Sequence, residues 1–163
     1  ENLFLHKDIV KRVEGFKRDN FSKPIIGVHV RCTDNQGDQF NRKKLPSFDR
    51  YPVILEKLLK EVPGARIFLA TDNEEVLKSY QKKYPDVIAT DKWFPGRSGK
   101  RLHGHGACSD RIQNGIEALV DMYLLAECDY LVVSGKPTFA RIAKMLFKSD
   151  ESQLFDVEDL NEK

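Results

Sequence analysis

Two polar side chains stand at the end of an apolar stretch near the start of the chain. The run IIGVHV at residues 25–30 is followed by Arg31, and His29 and Arg31 alternate with Val30, so they share one face of an extended chain. An arginine carries five N–H donors and a permanent charge, which suit bidentate binding of a diphosphate. A salt bridge from Arg31 and a hydrogen-bonded core histidine at position 29 are the alternatives.

Polar residues that can extend an anion site follow two later apolar runs. Asp72 and Asn73 come after the first of these, where either can cap a helix and Asp72 can also contact a ligand. The sequence SGKPT at residues 134–138 comes after the second, and there a glycine and a helix N-terminus can present backbone N–H groups to an anion. The candidate donors of this turn are Ser134, Lys136 and Thr138. A Ser or Thr helix cap explains the same turn equally well.

One carboxylate, Asp121, stands among apolar residues of a helical stretch. If it faces inward it needs a partner, because burying an unpaired charge is costly. Guanine offers two adjacent N–H donors that match a carboxylate, which makes Asp121 a candidate for reading that base. A plain surface position on the helix is the alternative.

The stretch HGH at residues 103–105 invites a metal interpretation. Its two histidines lack companion ligands at a recognised zinc spacing, so we expect no metal site. Arg97, Lys100 and Arg101 make the surrounding loop basic. A solvated loop is the favoured interpretation, and a loop that closes over phosphates is the alternative.

The elements that position these residues alternate between helix and strand. Hydrophobic spacing predicts helices over residues 3–18, 49–61, 74–84, 111–127 and 138–148. Apolar, β-branched runs predict strands over residues 25–30, 65–70, 87–89 and 130–133. On the long helix we expect Ile112, Ile116, Leu119, Val120, Tyr123 and Leu124 to face the core. Residues 149–163 are predicted to form an acidic tail that ends in a loosely packed segment.

Continuously apolar strands need helices on both faces of their sheet. The pattern therefore predicts an α/β fold, a Rossmann-like doubly wound parallel sheet, as one domain over residues 1–163. Ligands of such sheets bind beyond the carboxyl ends of the strands, which is where the polar residues described above stand.

Composition excludes several classes of function. The chain has 163 residues with 27 basic and 25 acidic side chains, and its net charge of +2 gives no argument for nucleic acid or an anionic membrane. No apolar run approaches the ~20 residues that span a bilayer, and no signal peptide is recognisable. Cys32, Cys108 and Cys128 form no CxxC pair, which favours reduced thiols and a reducing compartment such as the cytoplasm. One disulfide plus one free thiol remains open.

Three blocks, in this order, resemble the α1,6-fucosyltransferases, including the rhizobial nodulation fucosyltransferases. The sequence IGVHVRCTD at residues 26–34 is similar to the family's histidine–x–arginine block, and FLATDN at residues 68–73 to its strand that ends in Thr-Asp. Residues 114–132 resemble the helix and strand in which the family carries a guanine-reading aspartate. The resemblance covers roughly residues 24–147.

The resemblance implies one half of a GT-B glycosyltransferase, the C-terminal domain that holds GDP-fucose. It implies transfer of fucose to a glycan with inversion, without a metal or other cofactor. It places His29 near the nucleoside, Arg31 on the diphosphate as stabiliser of the leaving group, and Asp121 on guanine. Further residues that it brings to the site are Asp72, Ser134, Lys136 and Thr138 on the phosphate side. Asp34 and Asp38, in the loop after Arg31, are both candidates for the general base.

The chain departs from the family pattern at three points. Cys32 stands where a second arginine is common, and Asn35 where a lysine is often found. Both positions bear on the acceptor and on the linkage formed. The family's serine-rich turn is replaced by GKP at residues 135–137, for which Lys136 or Thr138 can compensate.

Only one Rossmann-like domain is recognisable, with a single helix before it and no Met at position 1. We therefore expect a donor-binding domain of a longer enzyme, which binds GDP or a GDP-sugar and turns over poorly by itself. The glycan acceptor would be bound by a missing N-terminal domain. A nucleotide-binding module without catalysis is one alternative. An unrelated doubly wound protein, such as a flavodoxin-like domain or a small hydrolase, is the other.

Overall fold

A parallel sheet of five strands is covered by helices on both faces. The computed structural model describes residues 6–32, 49–94, 110–135 and 137–161. The elements, in chain order, are α1 (Lys7–Asn20), β1 (Ile25–Val30), α2 (Arg50–Glu61), β2 (Arg66–Thr71), α3 (Glu74–Lys83), β3 (Val87–Ile88), α4 (Arg111–Ala126), β4 (Tyr130–Val133), α5 (Thr138–Leu146) and β5 (Leu154–Asp156). Short 3-10 turns at Glu151–Gln153 and Asp159–Asn161 flank β5.

The strand order is β3-β2-β1-β4-β5, and each neighbouring pair is parallel. The chain winds outward from β1 to β3 and then crosses back to β4 and β5. The direction of winding therefore reverses between β1 and β4, and in open α/β sheets this switch point leaves a crevice at the carboxyl ends of the strands. The doubly wound parallel fold predicted from the sequence is confirmed.

The two faces of the sheet carry separate apolar cores. Helices α1, α4 and α5 pack on one face, and α2 and α3 on the other. Along β1 the side chains alternate, with Ile26, Val28 and Val30 in the core under α2. His29 therefore points to the opposite face. On that face Gly27 lets the end of α4 and the turn after it approach closely, because a Cβ at this position would lie 2.8 Å from the Cys128 sulfur and 3.2 Å from the Leu125 side chain.

Among helices α3, α4 and α5, the first two begin with a side-chain cap of the expected kind. Asn73 Oδ1 accepts hydrogen bonds from the N–H groups of Glu75 and Val76 and caps α3. Asp110 caps α4 through the N–H of Gln113. Pro137 stands at the N-cap of α5 and makes no side-chain capping bond. The first turn of α5 therefore has no side-chain cap.

Two predictions about the ends of the chain are corrected. The first helix begins at Lys7 and ends at Asn20, beyond the predicted 3–18, while residues 3–5 lie outside the described part. The acidic tail, for which no strand is predicted, contains β5, which pairs in parallel with β4, and Val157 directly after it is fully buried. Only two of its three residues, Leu154 and Phe155, are apolar, so the strand is defined by its pairing with β4 and not by a local pattern.

The predicted inner face of α4 is partly wrong. Val120 and Leu124 are buried as expected, but Ile112 is 79% exposed and Leu119 is 37% exposed. The C-terminal half of α4 is buried more broadly instead, since α1 and α5 pack beside it on the sheet. The additional buried residues there are Asp121, Met122, Leu125 and Ala126.

No helix in the described ranges is long and apolar enough to cross a membrane. Cys32 and Cys128 are free thiols. Cys108 lies outside the described residues.

Candidate functional site

A pocket opens at the carboxyl ends of β1 and β2, between α4 and the start of α5. Its volume is about 600 Å³ when the open mouth is included. Four of the residues selected from the sequence line it: His29, Arg31, Asp72 and Asp121. Lys92, Trp93 and Phe139 complete the part of the wall used below. The pocket lies at the switch point between β1 and β4, where sheets of this type bind their ligands.

His29 is buried in the pocket wall with one ring nitrogen unsatisfied. Its side chain is 7% exposed, and its ring stacks on Phe139 of α5 with centroids 4.7 Å apart. Nδ1 has no hydrogen-bond partner among the described residues. Burial, together with the charges of Arg31 and Lys92, lowers the pKa of His29 to about 3. The imidazole is therefore neutral at physiological pH and keeps a polar atom for a bound molecule.

The end of β1 is fastened at two points. The Tyr51 hydroxyl donates a hydrogen bond of 3.0 Å to the His29 carbonyl oxygen. The Cys32 backbone N–H donates one of 2.8 Å to Asp72 Oδ1, beyond the end of β2. These bonds flank Arg31 on both sides and fix its backbone at the pocket rim. Asp72 thus does not cap α3, a role that Asn73 takes.

The thiol that follows Arg31 is not a candidate nucleophile at neutral pH. Burial and the nearby Asp72 carboxylate raise the pKa of Cys32 to about 12, against a smaller opposing effect of a hydrogen bond with Thr71. A thiol with this pKa stays protonated, and only the thiolate is a good nucleophile.

Asp121 is buried and already has partners in the protein. It is 3% exposed, which excludes the surface position considered from the sequence. The Thr90 hydroxyl donates a hydrogen bond of 2.6 Å to Oδ1, and the Lys92 ammonium binds Oδ2. The charge is therefore paired inside the protein even when the pocket is empty.

The sequence reasoning missed Thr90 and Lys92. Both follow β3 at its carboxyl end, the same edge of the sheet at which the candidate residues of the other strands stand. Ligands of parallel sheets bind beyond the carboxyl ends of the strands, and considering the residues after this short strand as well would have identified them.

Residues 90–94 are held against α4 by acceptors one helical turn apart. The Trp93 backbone N–H donates to Glu117 Oε2 at 3.2 Å, and Gln113 binds the other Glu117 oxygen at 2.8 Å. Asp121 lies four residues after Glu117 and therefore faces the same segment. The Lys92 ammonium also lies 5.5 Å from the centre of the Phe94 ring.

In the turn between β4 and α5, Ser134 and Gly135 bind acidic side chains of the protein, whereas the sequence predicted contacts with phosphates. Ser134 is 2% exposed and donates its hydroxyl hydrogen to Glu158 at 2.9 Å, away from the residues that line the pocket. The Gly135 N–H donates to Asp156 Oδ1 at 3.0 Å. A Cβ on Gly135 would lie 2.3 Å from the other oxygen of Asp156, so a side chain at this position would displace that carboxylate.

The remaining predicted positions divide into two groups. Thr138 is the exposed first residue of α5 and does not line the pocket, whereas the next residue, Phe139, does. Lys136, Asp34 and Asp38 lie outside the described residues. The histidines at 103 and 105 lie outside them as well.

The fold and the pocket together define the class of protein. A parallel sheet in the order 3-2-1-4-5, with an arginine and a buried carboxylate in its switch-point crevice, is a Rossmann-like domain of the kind found in GT-B glycosyltransferases. The family model described as Nodulation protein Z (NodZ) matches residues 1–162, and the chain belongs to this family.

Individual relatives agree with the family assignment. The chain is 33% identical over 147 residues to Nodulation protein Z of Bradyrhizobium diazoefficiens, covering 85% of this chain and 39% of that protein. It is 30% identical over 135 residues to Alpha-(1,6)-fucosyltransferase of Drosophila melanogaster, covering 79% of this chain and 20% of the relative. The crystal structure of NodZ alpha-1,6-fucosyltransferase co-crystallized with GDP superposes with a TM-score of 0.59 at 28% identity, over 87% of this chain and 42% of that one. The chain thus spans less than half the length of these relatives.

Proposed function

We propose that this chain is the donor-binding domain of an inverting fucosyltransferase that transfers fucose from GDP-fucose to a glycan acceptor. One observation carries the proposal: a single pocket at the switch point of the sheet presents both the Asp121 carboxylate and Arg31. A guanine nucleotide needs both groups, one for its base and one for its phosphates. The GDP complex of the NodZ relative supports this choice of ligand.

The base end of the pocket is Asp121. A carboxylate has two oxygens with about four acceptor positions in total, and Thr90 and Lys92 occupy one on each oxygen. One acceptor position per oxygen is left for the two adjacent N–H donors of guanine. The surrounding burial strengthens such bonds, because water does not compete for them.

The phosphate end of the pocket is Arg31. Its guanidinium binds the diphosphate bidentately and neutralises the negative charge that grows on the departing GDP as the bond to fucose breaks. The first turn of α5, which has no side-chain cap, adds backbone N–H groups from the other side of the crevice. The neutral His29 contributes a ring nitrogen near the nucleoside without adding charge.

The other residues selected from the sequence have secondary roles in this proposal. Asp72 supports Arg31 by holding the next residue of the chain. Asp34 or Asp38 is proposed as the general base and Lys136 as a donor to the phosphates, while Thr138, whose side chain does not line the pocket, contributes only through the backbone of the first turn of α5. Ser134 acts indirectly, since its hydroxyl is bound to Glu158. The reaction requires no metal, and the glycan acceptor is bound by an N-terminal domain of the full enzyme.

One observation favours a second candidate, a GDP-sugar-binding module without catalysis of its own. The chain covers only 39% of the NodZ relative, so this part alone would lack the second wall of a GT-B cleft. Transfer of fucose by the parent-length protein separates the two candidates, because a pure binding module shows none.

Direct binding tests the proposal. The chain has one tryptophan, Trp93, and it lines the pocket, so its fluorescence reports ligand binding alongside calorimetry. We expect GDP to bind and ADP and UDP to bind far more weakly, with no change on adding EDTA. Equal affinity for the three nucleotides would refute the guanine site, and loss of GDP binding with EDTA would refute metal independence.

A further inference from the structure

The cation that pairs with Asp121, the residue proposed to bind guanine, belongs to the same pocket. Lys92 lines the pocket together with Asp121, and its side chain is only 10% exposed. We propose that Lys92 determines base specificity by donating a hydrogen bond to O6 of guanine while Asp121 binds the adjacent N1–H and N2 amino group. This inference depends on the proposed binding of a guanine nucleotide.

The chemistry of guanine calls for such a donor. Along one edge the base presents an acceptor, O6, and then two donors, the N1–H and the N2 amino group. A carboxylate satisfies the two donors and leaves O6 without a partner. A buried acceptor that loses its hydrogen bond costs affinity, so a site that reads guanine gains from a donor next to its carboxylate.

The contacts of Lys92 place its donor group at this position. The ammonium binds Asp121 Oδ2 and lies over the Phe94 ring, 5.5 Å from its centre. An ammonium carries three N–H donors, and the bond to Asp121 uses one. O6 is carried by C6, the ring atom bonded to N1, so a base bound to Asp121 brings O6 next to the cation that already touches the carboxylate.

Thr90 and Lys92 reach Asp121 from different sides. Thr90 lines a separate surface depression with Arg12 and Phe16, whereas Lys92 lines the ligand pocket. Thr90 therefore orients the carboxylate from the side away from the ligand pocket, whereas the Lys92 side chain is accessible to a ligand in that pocket. The Trp93–Glu117 hydrogen bond fixes the backbone next to Lys92, so that the ammonium is preorganised.

The same arrangement rejects adenine. Adenine carries an amino group where guanine carries O6, and its N1 is an acceptor. The amino group would face the ammonium, and N1 would face the carboxylate. Both contacts are unfavourable, so one lysine and one aspartate together discriminate between the two purines.

The test compares GDP with 6-thio-GDP, which keeps the N1–H and the N2 amino group but replaces O6 with sulfur, a weaker acceptor. The variant is Lys92→Met, which keeps a stem of similar length and removes the donor. We expect its GDP affinity to fall about tenfold or more, the scale of a charge-assisted hydrogen bond, and its 6-thio-GDP affinity to fall much less. The preference for GDP over 6-thio-GDP should therefore collapse.

Two control variants complete the design. Thr90→Val removes the other hydrogen bond to Asp121 and should weaken both ligands by the same factor. Lys78→Met changes an exposed lysine on α3 and should change neither. Lys92→Arg keeps a cationic donor and should retain part of the preference, which keeps the test valid if Lys92→Met folds poorly.

Three outcomes contradict the inference. If Lys92→Met binds GDP as tightly as the wild type or more tightly, Lys92 competes with the base for Asp121. If it weakens both ligands equally, Lys92 only positions the carboxylate. If Lys92→Met is unfolded and Lys92→Arg shows no preference for GDP over 6-thio-GDP, the O6 contact is absent. Failure of the proposed function is distinct, because the wild-type protein would then show no preference for GDP over ADP and UDP.

Discussion

The backbone N–H of Cys32 is hydrogen-bonded to the carboxylate of Asp72 at 2.8 Å, which ties the residue after Arg31 to the end of the neighbouring strand. This contact gives the strand-end aspartate a purpose other than capping a helix. It anchors the residue next to Arg31, so we expect it to help hold Arg31 at the rim of the pocket.

We predict that Asp72→Ala lowers both stability and donor affinity, while Asp72→Asn, which keeps an acceptor oxygen, changes them less. Loss of the hydrogen bond should reduce the free energy of unfolding by about 1–2 kcal/mol. Urea unfolding and calorimetric titration with GDP measure the two effects. The matched control is Asn73→Ala, which removes the α3 cap at a similar cost in stability, about 1 kcal/mol, and should leave GDP affinity unchanged. Equal loss of GDP affinity in both variants would contradict the role of Asp72.

Replacement of Arg31 should weaken the binding of the phosphates without weakening the binding of the base. Arg31→Ala is expected to weaken GDP binding by about 100-fold, because a bidentate, charge-assisted contact with the diphosphate is lost. Guanosine, which has no phosphate, should bind the variant and the wild type alike. Arg31→Lys should recover only part of the GDP affinity, since a lysine cannot reproduce the planar fork. Unchanged GDP affinity in Arg31→Ala would remove this residue from the site.

The Asp121–Lys92 pair makes a prediction about stability that does not depend on any ligand. Asp121→Leu leaves the lysine buried without its partner and should cost about 3–5 kcal/mol of unfolding free energy. The double variant Asp121→Leu/Lys92→Met removes both charges and should recover most of that loss. It should not recover any preference for GDP. Thermal and urea unfolding of the two variants test this prediction, and additive losses in the double variant would show that the pair is not coupled.

The buried His29 predicts a specific pH dependence of stability. Its pKa in the folded state is lowered to about 3, below the value of about 6.5 for an unfolded chain. The unfolded state therefore binds a proton first as the pH falls, so this contribution to stability is complete above pH ~6.5 and is lost between pH ~6.5 and ~3.

We expect His29→Gln to lose less stability than the wild type when the pH is lowered from 7.5 to 5. The difference should approach about 2 kcal/mol, from 1.36 kcal/mol for each pH unit below the unfolded pKa. Urea unfolding at the two pH values measures it. Carboxylates titrate equally in both proteins and cancel in the comparison. Parallel pH profiles would mean that His29 is protonated in the folded state.

Gly135 should not tolerate a side chain. Gly135→Ala would bring its Cβ to 2.3 Å from Asp156 Oδ2, and we expect a loss of about 1–3 kcal/mol from the forced displacement. Gly15→Ala is the matched control, because nothing lies within 4 Å of its added Cβ in the middle of α1. That variant should gain roughly 0.5–1 kcal/mol from helix propensity. Thermal unfolding distinguishes a loss at position 135 from a gain at position 15.

The sequence was sufficient for the parallel fold because β1, β2 and β4 are continuous apolar runs, and such runs need helices on both faces. It also located His29, Arg31 and Asp72, since these residues stand at the end of a strand or directly after it. β5 was missed because its three residues stand in an acidic segment and form a strand only against an existing neighbour. The outward position of Ile112 depends on how α1 and α5 pack beside α4, which no local pattern records.

Asp121 illustrates the same limit at the site itself. Because burying an unpaired charge is costly, the sequence indicated that Asp121 needs a partner, and guanine was the candidate for that partner. The structure supplies Thr90 and Lys92 from a segment about thirty residues earlier in the chain. Pairing across that separation follows from strand order and not from sequence spacing, so it could not be deduced before the topology was known.

The position of β5 has a consequence for how the protein is handled. Residues 154–156 cover one side of β4 with backbone hydrogen bonds, and β3, the opposite border of the sheet, has only two residues. Both borders are therefore too short to template another chain. A version shortened to residue 150 would uncover residues 131–133 of β4, and self-association in concentrated solution would be its characteristic defect.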